Sequence, residues 1–377
     1  MPRYDHPSKY FADDKDVSDI LDAPKFSKKK LLSLALDRGI ILSGELPRET
    51  IRDHLSRMPF SWLQLRELLD TIETADAQEK ETTCRYESGA SAEDLQKVLS
   101  DVRDIRGETA DESYVIRKTE AGTIVRITYR EVDHGSTRVM QRIHKEMEIF
   151  IEPMKGGYEF RYPANGRAQD VVNKITDILP VPEGQEKPKR QTIELSGIVD
   201  PAMRTEFFVR VMDGMAGFNR RDVIDLKLNR IPQEAPEEDD DGDAAEEKEA
   251  EVKGLVKRLT LAGEALLSSP EFDRLRKDGF CISRTVWEAK ESVGEGRIFE
   301  IEAQFKNPEG GTGFCYLVRG VHNIGDGGDV EVTRRAISLD DRKRINQAIE
   351  AAAYAAMAAI REKLAPPVAE KPKANEA

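Results

Sequence analysis

Cysteine is scarce: the chain of 377 residues has three, Cys84, Cys281 and Cys315, with no Cys-x-x-Cys pair and no Cys/His cluster. That excludes a disulfide-stapled scaffold and leaves no readable zinc site. Aromatic residues reach only 6%. Long apolar runs are missing too. The longest, Ala351 to Ile360, is ten residues of mostly alanine, well below the ~20 that a membrane-spanning helix needs. The opening MPRYDHPSKYFADDKD lacks the apolar stretch of a secretion signal. The expectation is a cytoplasmic protein with no membrane partner. No Gly-rich loop ends in Gly-Lys-Ser/Thr, so nucleotide hydrolysis of the P-loop kind has no carrier. Gly310-Gly311-Thr312-Gly313 follows Asn307-Pro308 between two strand-like runs and reads as a hairpin turn. The five histidines have no readable catalytic partner.

What the chain has in excess is charge: 34% Asp, Glu, Lys and Arg, with a net of −13. Much of that sum is local. Glu234 to Glu251 holds eleven acids and one lysine, so everything else carries about −3. Such a run, without aromatic or β-branched anchors, buries too little surface to fold and is expected to be a disordered insert. Its Gly242 invites comparison with a calcium loop, but the run offers Lys248 where a bidentate glutamate is required.

Periodicity divides the rest. Residues 1–24 read as a disordered start and 25–110 as a helical module. Lys28 to Asp37, the helix after Pro47, the one capped by Ser61 and the one from Ser91 all show helical apolar spacing. At Tyr114 the period changes to two. Val125, Ile127 and Tyr129 alternate with Arg126, Thr128 and Arg130, and two further strands and a helix complete a four-stranded sheet-plus-helix unit over 114–180. A weak internal repeat follows. Leu195-Ser196-Gly197, a helix, Gly217-Phe218 and a strand make a βαβ-like piece over 192–230. Leu261-Ala262-Gly263, a helix, Gly279-Phe280 and a strand open a second copy over 253–364. That copy adds strands near 297–305, 312–319 and 330–337 and a long helix from Leu339. Residues 365–377 read as a disordered tail. The fold class is α+β: an N-terminal helical module, then a duplicated antiparallel sheet-plus-helix body. The order β-α-β-β-β-β-α of the second copy resembles, in outline, a TATA-binding-protein-like or helix-grip sheet, which implies fold but not function.

Two kinds of chemistry compete for the charged residues. A metal nuclease needs carboxylates brought together beside a lysine. Glu288-Ala289-Lys290 has the triplet, but its upstream acid, Asp278, lies ten extended residues away, roughly 33 Å. Asp225-Leu226-Lys227 is better placed, with Asp200 as partner. Phosphate binding needs clustered cations. Lys28, Lys29 and Lys30 sit at a helix start, where the dipole disfavours them and another use is implied. Arg48 and Arg52 lie on the next helix, and this helix–glycine–helix layout is similar to small DNA-binding hairpins of the SAP or helix-turn-helix kind. In the sheet unit Arg126, Arg130, Arg138 and Arg142 fall opposite the apolar set, and Arg161 joins them; arginines so placed grip phosphates bidentately. The later strand with Phe299, Ile301 and Phe305 inward turns Glu300, Glu302 and Gln304 out, giving an acidic second sheet.

The expected function is therefore a non-enzymatic binding protein that contacts DNA or RNA mainly through phosphates, with no cofactor and no metal. The alternatives are a protein–protein adaptor or subunit, homo-oligomers included, and a magnesium nuclease using Asp225 and Lys227.

Overall fold

In the computed structural model, the described residues are 12–73, 79–109, 112–132, 142–181, 187–231, 258–292, 296–324, 331 and 333–364. Residues 1–11, the acidic run 234–251, the turn at 325–329, the tail 365–377, His134 and Arg138 lie outside them. The chain forms two units. Met1–Ala77, Ser91–Phe150 and Asp177–Leu179 make the first; Gln78–Ala90, Ile151–Thr176 and Pro180–Ala377 make the second.

The first unit opens with helices α1 (Asp14–Asp22), α2 (Lys28–Asp37), α3 (Arg48–Ser56) and α4 (Trp62–Glu73). α1 falls where the sequence suggested a loose start. It forms because Asp13 and Asp16 cap one another reciprocally, at 2.9 and 3.1 Å, satisfying backbone N–H groups that would otherwise be orphaned. Val17, Ile20 and Leu21 then share one stripe against Leu31, Ala35, Ile51 and Leu55. α2 starts from its Ser27 cap and ends at Gly39, whose φ of +75° a side chain would resist. Beyond α5 (Ala92–Thr109), β2 (Ser113–Thr119) pairs antiparallel with β3 (Gly122–Val132), and β4 (Arg142–Met154) runs on into the second unit. Along β3, Val125, Ile127 and Tyr129 are buried and Arg126 and Thr128 exposed, the alternation expected of a half-covered sheet.

The second unit contains β1 (Glu81–Tyr86), β5 (Gly157–Pro163), the short β6 (Gln191–Thr192), β7 (Phe218–Arg230), β8 (Arg258–Ala262), β9 (Phe280–Glu291), β10 (Ile298–Asn307) and β11 (Thr312–His322). These pair antiparallel in the order β5-β1-β11-β10-β9-β7-β8, with β6 on β1. β1 falls inside the span read as helical. On one face, Tyr162 of β5 donates to Gln169 of α6 (Gly166–Ile178) at 2.8 Å. On the other lie α7 (Pro201–Asp213) and α9 (Leu339–Leu364), over a core of Trp287, Phe299, Ile301 and Phe305. Phe207 meets Phe208, Phe305 and Phe314, and Phe208 meets Phe305, with ring centroids 5.4–5.6 Å apart, mostly edge to face, adding specificity to a burial worth roughly 2 kcal/mol per side chain. α8 (Pro270–Lys277) completes the same core through Phe272.

The strand expected over 330–337 is not one. Among its described residues a single bridge, Arg335 with Val321, replaces a ladder. The close approach uses Gly320: a Cβ there would stand 2.4 Å from Arg334 Cγ. Arg334 of the segment reaches Glu300 of the sheet, and Arg335 pairs with Glu331. Among the described residues no helix is long and apolar enough to cross a membrane.

Candidate nucleic-acid interface

The cations singled out in the helical module have different fates. Arg48 is a structural group. Its guanidinium donates to the carbonyls of Phe26, Leu21, Asp22 and Ala23 and to the Asp22 carboxylate at 2.9–3.4 Å, closing the C-terminal end of α1. Arg52 pairs with the same Asp22 at 2.8 Å and with Asp53 at 3.0 Å. Hydrogen bonds from Arg48 and Arg52 in turn hold the Asp22 carboxyl below the usual range. Lys29 and Lys30 are exposed and Lys28 half-buried, and the Lys30 ammonium sits 5.3 Å from the Phe26 ring centre.

The arginine face expected on the first sheet is neutralised at its best-placed member. Arg126 is clasped at 2.7 Å by both Glu146 and Glu148, which β4 places on the same side. Arg130 lies four residues further along β3, half-buried. Arg142 opens β4, and Arg138 lies outside the described residues. Arg161 is not on an outer face. It is buried in the second unit, its Nε 2.5 Å from the Glu350 carboxylate and its Nη2 on the other oxygen, while Tyr316 donates to that carboxylate as well. Burial disfavours the guanidinium charge, and the Glu350 bonds override it, so its pKa is raised. The alternation along β5 is as expected; α9 closes the side assumed to face water and supplies the counter-ion.

A different face of the second unit carries the larger collection of cations. Glu300 and Glu302 do turn away from the aromatic core, yet their side chains are only 11% and 5% exposed. Cations lie over them. Lys80 and Arg284 bond Glu302 at 2.6 and 2.7 Å. Arg319 reaches Glu300 at 2.6 Å and Glu302 at 3.3 Å, and Arg334 reaches Glu300 at 3.2 Å. Arg319 and Arg334 remain 32% and 37% exposed. Arg284 also spans to Asp225 at 2.8 Å, and Arg221 to Glu288 at 2.9 Å. Lys227, opposite Arg284 in the β7–β9 ladder, and Lys290, opposite Ile298, are exposed on the same side. The acids form a lower layer and the cations an upper one. Burial alone would raise the Glu302 carboxyl; the bonds from Arg284 and Lys80 reverse this and hold it at about 2. Glu302 therefore stays ionised at neutral pH. Reading the exposed charge of this sheet as acidic is corrected by the depth of the two glutamates: alternation gave their side, while the arginines that cover them, Arg284 of β9, Arg319 of β11 and Arg334, come from 17 or more residues away.

Two acids weighed for a metal nuclease have other partners. Asp225 is engaged by Arg284, and Asp200 caps α7 by accepting from the Ala202 N–H at 2.8 Å. Among the described residues no group of three or more His, Cys, Asp and Glu side chains could hold a metal ion. The three thiols are buried and unpaired. Burial pushes Cys84 up to about 12 and Cys281 to about 11, far from the thiolate a nucleophile needs. Compared with protein-family models and with curated proteins, the chain matches none.

Proposed function

We propose that this protein is a non-enzymatic binding protein that takes DNA or RNA by its phosphates on the layered face of the second unit, centred on Arg319, Arg334, Lys227 and Lys290. The observation that carries this reading is the vertical order of charge. Carboxylates at the bottom fix Arg319 and Arg334 in place, and the outer edges of the same guanidinium groups remain in water, where a phosphate can be gripped. Lys28, Lys29 and Lys30 provide a separate basic stripe; Arg48, Arg52, Arg126 and Arg161 are already occupied and are left out of the surface. The cytoplasmic placement expected from the sequence goes with this reading. So does an internal duplication, supported by two helix–glycine–strand pieces, α7–Gly217–β7 and α8–Gly279–β9, with φ of +83° and +85° at the glycines.

The test is fluorescence anisotropy with a labelled 20-base-pair DNA duplex and a single-stranded RNA of equal length, between about 50 and 200 mM salt. The full chain should bind at least one of them with a steep negative salt dependence. Arg319→Ser and Arg334→Ser together should weaken binding and flatten the slope by up to about two units, one per lost phosphate contact. Binding that is absent, or unchanged in the double variant, contradicts the reading.

A further inference from the structure

Every phenylalanine, tyrosine and tryptophan of the second unit is buried, from Tyr86 in β1 to Tyr354 in α9. On the strands that carry the layered charges, the rings all turn the same way. Phe218 of β7, Phe280 and Trp287 of β9, Phe299 and Phe305 of β10, and Phe314 and Tyr316 of β11 belong to the core shared with α7 and α9. The opposite side of these strands is the cationic one. Lys227 lies level with Arg284, and Lys290 stands six positions further along β9, about 20 Å away. Glu300 and Glu302 occupy the rows between, with Arg319 and Arg334 over them. The other acids on this side are engaged: Asp225 by Arg284, Glu288 by Arg221, and Asp222 by the N–H groups of Val223 and Ala265. The imidazole of His322, at the end of β11, is 13% exposed, and its Nδ1 lies 2.9 Å from the Glu331 carbonyl oxygen. The face thus turns charge to water and, among the described residues, no Phe, Tyr or Trp ring.

Two forms of nucleic acid respond differently to such a surface. A single strand is held by a charged groove together with rings on which its unstacked bases lie. A duplex keeps its bases paired and offers phosphates. It carries one charge per about 1.7 Å of axis, against about 3.4 Å for one of its strands, and releases more counterions for each phosphate neutralised. Over the span from Lys227 to Lys290 a duplex therefore brings about twice the charge of a single strand. We infer that the ligand of the layered face is a nucleic-acid duplex, held by its backbones without base stacking. This rests on the phosphate-binding reading and narrows it to paired strands. Duplex DNA and duplex RNA share that chemistry.

The test is a set of anisotropy titrations of the full chain at about 100 mM salt with labelled 20-mers of one sequence. The probes are a DNA duplex, an RNA duplex, the DNA and RNA single strands, and a single DNA strand without bases. At least one duplex should bind tenfold or more tighter than either single strand, and the two duplex arms show which backbone fits better. The abasic strand should bind within about threefold of the base-bearing DNA strand, since the face offers its bases no ring. Lys227→Ser with Lys290→Ser, both at exposed positions, should keep the far-UV spectrum and melting temperature and lose at least fivefold in duplex affinity. A single strand that binds as tightly as the duplexes, or an abasic strand that loses tenfold or more, overturns the inference and leaves the phosphate-binding reading standing. Binding by none of the five probes, or a double variant with parental affinity for the duplex, overturns both.

Discussion

Glu302 is the residue on which the charged face of the second unit depends. Its pKa of about 2, against an ordinary 4.5, means that the folded state favours the ionised form. The linkage has a definite sign. The stabilisation, about 3 kcal/mol from the shift, is fully present above pH 4.5 and is lost as the pH falls from there through about 2. Glu302→Gln leaves Arg284 and Lys80 over an uncharged amide and should cost about 3–5 kcal/mol at pH 7. Urea unfolding at pH 7 and pH 3 checks both halves: the variant should start lower and lose less between the two pH values than the parent. Equal losses would show that another carboxylate carries the acid sensitivity. Arg48 makes a separate case at the same scale. Arg48→Ala should cost roughly 1–3 kcal/mol by stranding carbonyls at the end of α1, whereas Lys29→Ala should leave urea stability unchanged. If Arg48→Ala is as harmless as Lys29→Ala, Arg48 is a free surface cation after all.

Among the elements, α9 is the one whose composition has the clearest physical reason. One stripe, Ile345, Ala348, Ile349, Ala352, Ala353, Ala356 and Ile360, is buried in the core of the second unit, and alanine lets the backbone come close to α7. A second stripe is polar: Asn346 donates to Glu81 at 2.5 Å, and Glu350 receives Arg161. Ala353→Leu should overpack the first stripe at a cost of about 1–3 kcal/mol, and Ala355→Leu, on the exposed side, should be close to neutral. Thermal denaturation of the two variants decides; equal effects would mean the stripe is misassigned. α2 and α9 were legible in the sequence, because each carries an uninterrupted helical pattern; the Ser27 and Ser338 caps are added by the structure. α1 was not, since its aspartates look like a solvated leader until the cap formed by Asp13 and Asp16 is seen. β1 was hidden for a different reason. Both of its faces are covered, Cys84 and Tyr86 on one and Thr83 on the other, so the apolar–polar alternation that marks a half-exposed strand is absent.

Over the molecule as a whole, the candidate site was legible by type and not by place. Arginine and lysine surplus over a sheet could be read from alternation, but which cations are already neutralised depends on partners far along the chain. Arg161 meets Glu350 across 189 positions, and Lys80 meets Glu302 across 222. Arg126 and Arg319 are both strand arginines with two carboxylates near them. They differ in that Glu146 and Glu148 are themselves open to water, 46% and 35% exposed, whereas Glu300 and Glu302 lie beneath their cations. A direct measurement of phosphate binding on the second unit compares these two sets. Nucleic-acid affinity is followed against salt for the parent, for Arg126→Ser, and for the quadruple variant Lys227→Ser, Lys290→Ser, Arg319→Ser, Arg334→Ser. Arg126→Ser should keep a parent-like slope and the quadruple variant should show a slope flattened by up to about four units, with both proteins folded by circular dichroism. A quadruple variant that binds like the parent, or a loss confined to Arg126→Ser, contradicts phosphate binding on the second unit.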